Sequence, residues 1–122
     1  MKLIEAIARL DELKPNGFSV AQKLSWLSAL DGTVREEIID RHEGGGGAPF
    51  VPYTEEDKEK ELLIPAPYEE VYLRYMEAQI DYANGEYERF NNSNAMYAAA
   101  YSAFERAYNR SHRPLGVNKK YF

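Results

Sequence analysis

Apolar positions recur along this chain at helical spacing. Leu3, Ile4, Ile7, Leu10 and Leu13 fall three and four residues apart, a stripe that predicts a short helix over residues 2–13. Lys14-Pro15-Asn16-Gly17 ends it. Proline disfavours helix at the residue before it, and Asn-Gly supplies a turn. Ser19 then reads as an N-cap, with Gln22 three residues on to complete a capping box. Phe18 is placed to staple onto Lys23 or Leu24. A second helix is predicted to about His42, with Val20, Leu24, Leu27, Val34 and Ile38 on one face and Trp26, Leu30 and Ile39 alongside. Gly32 predicts a kink in it, since glycine costs about 1 kcal/mol in a helix interior.

The helical period is then lost over residues 43–66. The stretch opens with Gly44-Gly45-Gly46-Gly47, carries Pro49, Pro52 and Pro65, and ends on the apolar trio Leu62-Leu63-Ile64. Four glycines read as a flexible linker. Connections longer than about 12–15 residues are uncommon in compact domains. The expectation is an arm whose apolar trio is buried on a neighbouring subunit or folded back on its own core.

Pro67 sits at an expected first helical position, followed by Glu69 and Glu70. The third helix is predicted to run to about Asn84, with Val71, Tyr72, Tyr75, Met76, Gln79 and Ile80 on its apolar face. The fourth has the clearest period. Tyr87, Phe90, Asn94, Tyr97, Tyr101, Phe104 and Tyr108 alternate steps of three and four, a seam of six aromatics and one amide among alanines. Asn94 is expected to fix register or tie to a buried partner. The helix should end near Asn109 to Ser111, before Arg113-Pro114-Leu115-Gly116. The expected fold is therefore all-α: a small bundle of about four helices over 1–113, with an arm over 43–66 and an extended C-terminal tail over 114–122.

Charge sharpens this picture. The net charge is −5, which argues against general nucleic-acid binding. Residues 106–122 carry Arg106, Arg110, Arg113, Lys119 and Lys120 and no acid, so the rest of the chain holds −10. A basic end on an acidic body suits docking on an acidic partner, including another copy of the chain. The tail ends in Tyr121-Phe122, rings that call for a pocket or a paired strand. There is no cysteine, which excludes disulfides and thiolate metal sites. The first residues are charged and lack the apolar run of a signal peptide, and no window is apolar enough for a membrane span.

Enzyme motifs are missing. His42 and His112 lack zinc-protease spacing, and Gly44–Gly47 lacks the Lys-Ser/Thr of a nucleotide loop. Glu36, Glu37, Asp40 and Glu43 span two predicted turns, with Glu36 and Asp40 on one face, where a divalent ion is the chemical alternative to a solvated surface. The expectation is a non-enzymatic protein with no cofactor and no metal.

Several stretches resemble small proteins of the head-assembly regions of long-tailed phages and prophages. They are Asp31-Gly32 with Glu37-Ile38-Ile39-Asp40-Arg41-His42-Glu43-Gly44, and Glu61-Leu62-Leu63-Ile64-Pro65-Ala66-Pro67-Tyr68-Glu69-Glu70-Val71-Tyr72. Glu77-Ala78-Gln79-Ile80-Asp81-Tyr82 with Asn84-Gly85-Glu86-Tyr87, and Ala103-Phe104-Glu105-Arg106-Ala107-Tyr108-Asn109-Arg110, complete the set. In size and layout such proteins are similar to head–tail connector (adaptor, head-completion) proteins. The resemblance implies a structural virion protein, assembled in the host cytoplasm, forming a homo-oligomeric ring of about twelve subunits under the portal protein. The next tail-side component would bind its other end. DNA would pass through an acidic channel without specific binding. The interface residues expected on this reading are Leu62, Leu63, Ile64, Arg110, Arg113, Lys119, Lys120, Tyr121 and Phe122. Two other classes compete: a regulatory module that captures a partner on its tyrosine-rich face, and a metal-dependent hydrolase using the Glu36 to Glu43 acids.

Overall fold

The computed structural model describes residues 1–47 and 49–115. It is built from α1 (Leu3–Leu13), α2 (Val20–Glu37), α3 (Glu70–Ala83) and α4 (Tyr87–Ser111), with short 3-10 turns at Ile39–Arg41 and Glu55–Asp57. The fold is all-α, with four helices and no named strand among the described residues.

Local signals set most of the boundaries. Ser19 caps α2, its Oγ accepting the Gln22 N–H at 3.1 Å. Phe18 tilts against Trp26, with ring centroids 5.3 Å apart. Lys23 is drawn inward to Asp11, Nζ to Oδ1 2.6 Å, which ties α2 to α1.

Gly32 lies within α2, which runs on through it, and a Cβ there would stand in ordinary contact with the Phe50 ring at 3.5 Å. Two expectations about the helices are corrected. The helix stops at Glu37, short of His42, because the chain tightens through Ile38 into the turn Ile39–Arg41. That tightening brings both Ile38 and His42 into the interior. Pro67 precedes α3 and does not open it. A turn in which the Tyr68 N–H donates to the Pro65 carbonyl at 2.9 Å comes first, with the cis Ala66–Pro67 bond inside it.

The third helix is the centre of the molecule. It packs on α1 and α2 to one side and on α4 to the other. It is therefore buried at Leu73 and Ala78 as well as at the predicted Val71, Tyr72, Met76 and Ile80. Fully burying a side chain of this size stabilises the fold by about 1.5–3 kcal/mol. α1 adds Leu3, Ala6, Ile7 and Leu10, and α2 adds Leu24, Leu27, Leu30 and Val34.

The arm belongs to its own chain. Leu62 and Ile64 are buried among the residues of the core, and Leu63 is half-buried against them. Leu62 and Ile64 are not a free interface, because their burial is met within the chain. Arm carbonyls also complete α1: Leu3 N–H donates to Lys60 O and Ile4 N–H to Lys58 O, both at 3.0 Å. Those are amides that a helix start leaves without an internal partner.

One buried carboxylate locks the arm down. Asp31 on α2 accepts the Tyr53 hydroxyl at Oδ2 and the Tyr72 hydroxyl at Oδ1, each at 2.5 Å. It also accepts the Leu63 N–H at 3.1 Å. The Tyr72 oxygen in turn accepts the Ile64 N–H at 2.7 Å. Arm, α2 and α3 are thus joined through one group. Burial pushes the Asp31 carboxyl above the usual carboxylate range; the two hydroxyls, the Leu63 N–H and the charge of Arg35 oppose that shift without cancelling it.

The glycine run is not simply a linker. A Cβ on Gly45 would stand 1.9 Å from the Ile39 carbonyl oxygen, so this glycine packs directly on the 3-10 turn. No helix among the described residues is long and apolar enough to cross a membrane.

Candidate interaction surface

The aromatic seam of α4 divides in two. Tyr97, Tyr101 and Tyr108 are half-buried against the core, and Phe104 is fully buried. Tyr75 of α3 meets Tyr97 edge to face at 5.1 Å. Tyr68 from the end of the arm tilts onto Phe104 at 6.0 Å. Toward its start the helix leaves the core. Tyr87 is 61% exposed, Met96 44% and Tyr82 of α3 58%. Tyr82 gathers Tyr87 at 5.8 Å and Phe90 at 5.2 Å, an aromatic cluster at the tip of the α3–α4 hairpin. Asn94 faces water, so it is not tied to a buried partner within the chain. Within the chain, α3 with the end of the arm covers only the C-terminal half of the seam.

Below the hairpin tip, polar ties hold α3 and α4 in place. Asp81 accepts Ser93 Oγ at 2.9 Å and pairs with Lys14 Nζ at 2.9 Å, which joins α4, α3 and the end of α1.

The other end of α4 is a junction around His42. Its Nδ1 lies 2.6 Å from the Ile38 carbonyl oxygen and its Nε2 2.8 Å from Asn109 Oδ1. With the amide so oriented, both ring nitrogens face acceptors, an arrangement that an imidazolium satisfies; turning the amide over satisfies the neutral ring. The ring stands edge-on to Tyr108 at 4.9 Å, and His112 stacks flat on Tyr108 at 3.7 Å. The chain then returns along this junction. Glu43 N–H donates to the Arg113 carbonyl at 2.8 Å and Leu115 N–H to the Arg41 carbonyl at 2.9 Å, with His42 opposite Pro114. Pro114 and Leu115, the start of the expected tail, thus pair back along the body while their side chains stay exposed.

Two grooves flank the junction. One is apolar, about 330 Å³, lined by Ile39, Leu63, Tyr68, Phe104 and Tyr108. The other is acidic, about 680 Å³, lined by Glu37, Asp40 and Glu105 with Arg41, Pro114 and Leu115. Tyr101 donates its hydroxyl to Glu37 of the acidic groove at 3.2 Å. Asp40 Oδ1 is buried with no hydrogen-bond partner among the described residues.

The expected interface residues are thus dispersed. Leu62 and Ile64 lie in the core, Leu63 lines the apolar groove, and Arg110 and Arg113 are exposed beside the junction. Lys119, Lys120, Tyr121 and Phe122 lie outside the described residues. Glu36 and Asp40 do not share a helical face, because α2 ends between them. Among the described residues, no group of three or more His, Asp or Glu side chains is gathered closely enough to hold a metal ion. The hairpin-tip cluster was present in the seam as a pattern, but its exposure had no sequence signal.

No family model, curated protein or solved structure matches this chain.

Proposed function

We propose that this chain is a structural subunit of a phage or prophage head–tail connector, assembling through α4 into a ring that joins the portal to the tail. The observation that carries the reading is the open half of α4. A helix of 25 residues gives the core a single fully buried side chain, Phe104, while Tyr87 and Tyr82 stay exposed at the hairpin tip and Met96 stays exposed further along the helix. Exposed aromatic and methionine side chains of this kind are enriched at protein interfaces. The phage-like stretches in the sequence supply the setting. On this reading the open half of α4 packs on a neighbouring copy, and the portal and the next tail-side component meet the two ends of the ring. DNA passes through a mainly acidic channel without being held. The function is structural and needs no cofactor.

The same aromatic tip also favours a second reading, a monomeric module that captures a partner helix or peptide. Light scattering and electron microscopy of the purified chain decide between them. A connector forms a closed ring of about twelve copies, and Tyr87→Ser with Phe90→Ser reduces it to monomers with an unchanged helical circular dichroism spectrum. A lone monomer at high concentration, together with absence of the chain from purified virions, overturns the connector reading.

A further inference from the structure

The pairing of residues 113–115 with 41–43 sets the heading of the chain. It is antiparallel, with Arg113 beside Glu43 and Leu115 beside Arg41. An antiparallel partner runs backward along its template. From Arg113 to Leu115 the chain therefore runs from beside Glu43 to beside Arg41, and Pro114 and Leu115 form one wall of the acidic groove.

The groove has three carboxylates, Glu37, Asp40 and Glu105, against one guanidinium, Arg41. None of the three is in an ion pair among the described residues. Asp40 adds a buried oxygen without a donor. The sequence that follows Leu115 is Gly-Val-Asn-Lys-Lys-Tyr-Phe, with two cations and no acid.

We infer that the groove between the Ile39–Arg41 turn and α4 is the docking site of this chain's own segment 116–122, with Lys119 and Lys120 set against Glu37, Asp40 and Glu105. The reach is sufficient. Four or five extended residues span about 13–17 Å. The groove wall from Arg41 back to Glu37 is helical or 3-10, so it advances only about 6–8 Å over the same number of residues. Attachment at the rim also gives the segment a millimolar effective concentration, ahead of any copy in dilute solution. The basic end and the acidic body of the sequence are then two halves of one contact. This inference rests on the junction and not on the connector reading.

Carbodiimide coupling tests it without a substitution, since the reagent joins a lysine to a carboxylate only when the two touch. Light and 15N-labelled chains are unfolded, mixed in equal amounts and refolded before coupling, and the products are mapped by mass spectrometry. The expected result is a bond from Lys119 or Lys120 to Glu37, Asp40 or Glu105 between peptides of like isotope. It should be lost at about 1 M salt, where the screening length is about 3 Å. Absence of these bonds at low salt overturns docking, and pairs of mixed isotope overturn it in favour of a second copy's segment. Neither outcome depends on whether the chain forms a ring.

Discussion

The Tyr72 hydroxyl donates to Asp31 Oδ1 and accepts the Ile64 N–H, so a single oxygen connects α3, α2 and the end of the arm inside the core. The pair is the point at which a segment without helical period becomes part of a helical protein.

Removing the acceptor should release the arm. Asp31→Ala leaves the Tyr53 and Tyr72 hydroxyls and the Leu63 N–H without their partner. At about 1–3 kcal/mol for each buried group left unpaired, the expected loss is about 3 kcal/mol or more. Tyr72→Phe orphans only the Ile64 N–H and one carboxylate oxygen, and should cost about 2 kcal/mol. Urea unfolding measures both. Equal losses for the two variants would contradict the hub.

The same carboxyl gives a signed pH dependence. Burial raises Asp31 above its ordinary value of 3.8, so the folded state holds this proton to higher pH than the unfolded chain does. Its contribution is therefore fully present below the unfolded value and is lost as pH rises through the folded one. Asp31→Asn has no such titration. Its stability deficit relative to the parent should be largest at the acid end and shrink as pH rises past the carboxylate range. Urea melts of both proteins across that range give the difference. A deficit that grows with pH would mean that the fold prefers the anion.

Within Gly44–Gly47 the positions should not be equivalent. Gly45→Ala drives a methyl group into the Ile39 carbonyl and should cost about 1–3 kcal/mol, the range for overpacking. Gly46→Ala meets nothing within 4 Å and should stay within about 0.5 kcal/mol. Thermal melts of the two variants would expose a simple linker by showing no difference.

His42→Ala removes the group that Ile38 and Asn109 share and opens a gap beside Tyr108. The expected loss is about 2 kcal/mol, concentrated at the junction. Amide exchange should accelerate first at Glu43 and Leu115, whose N–H groups pair the returning chain. Uniform acceleration across α1 and α3 would assign His42 a global role instead.

The four helices were legible because each carries its own signal. α1 has a stripe at helical spacing, α2 has a Ser19 cap that the Gln22 amide meets, and α4 has a seam in steps of three and four. Periodicity tells which face of a helix is apolar, but not what lies opposite. For that reason the seam could not announce that only its Tyr97 to Tyr108 half would be covered. Nor could one stripe on α3 reveal a helix with neighbours on two sides, buried at Leu73 and Ala78 as well.

The sequence by itself determined the helices, the break at Lys14 to Gly17 and the division of charge between body and basic end, since these follow from neighbours a few residues apart. Tertiary structure alone decided where the arm goes, why Gly45 is small, and that His42 meets Asn109. Those outcomes turn on hydrogen bonds and close contacts between residues far apart in the chain. Tyr53, Leu63 and Tyr72 carry no mark of a shared partner until folding brings them to Asp31.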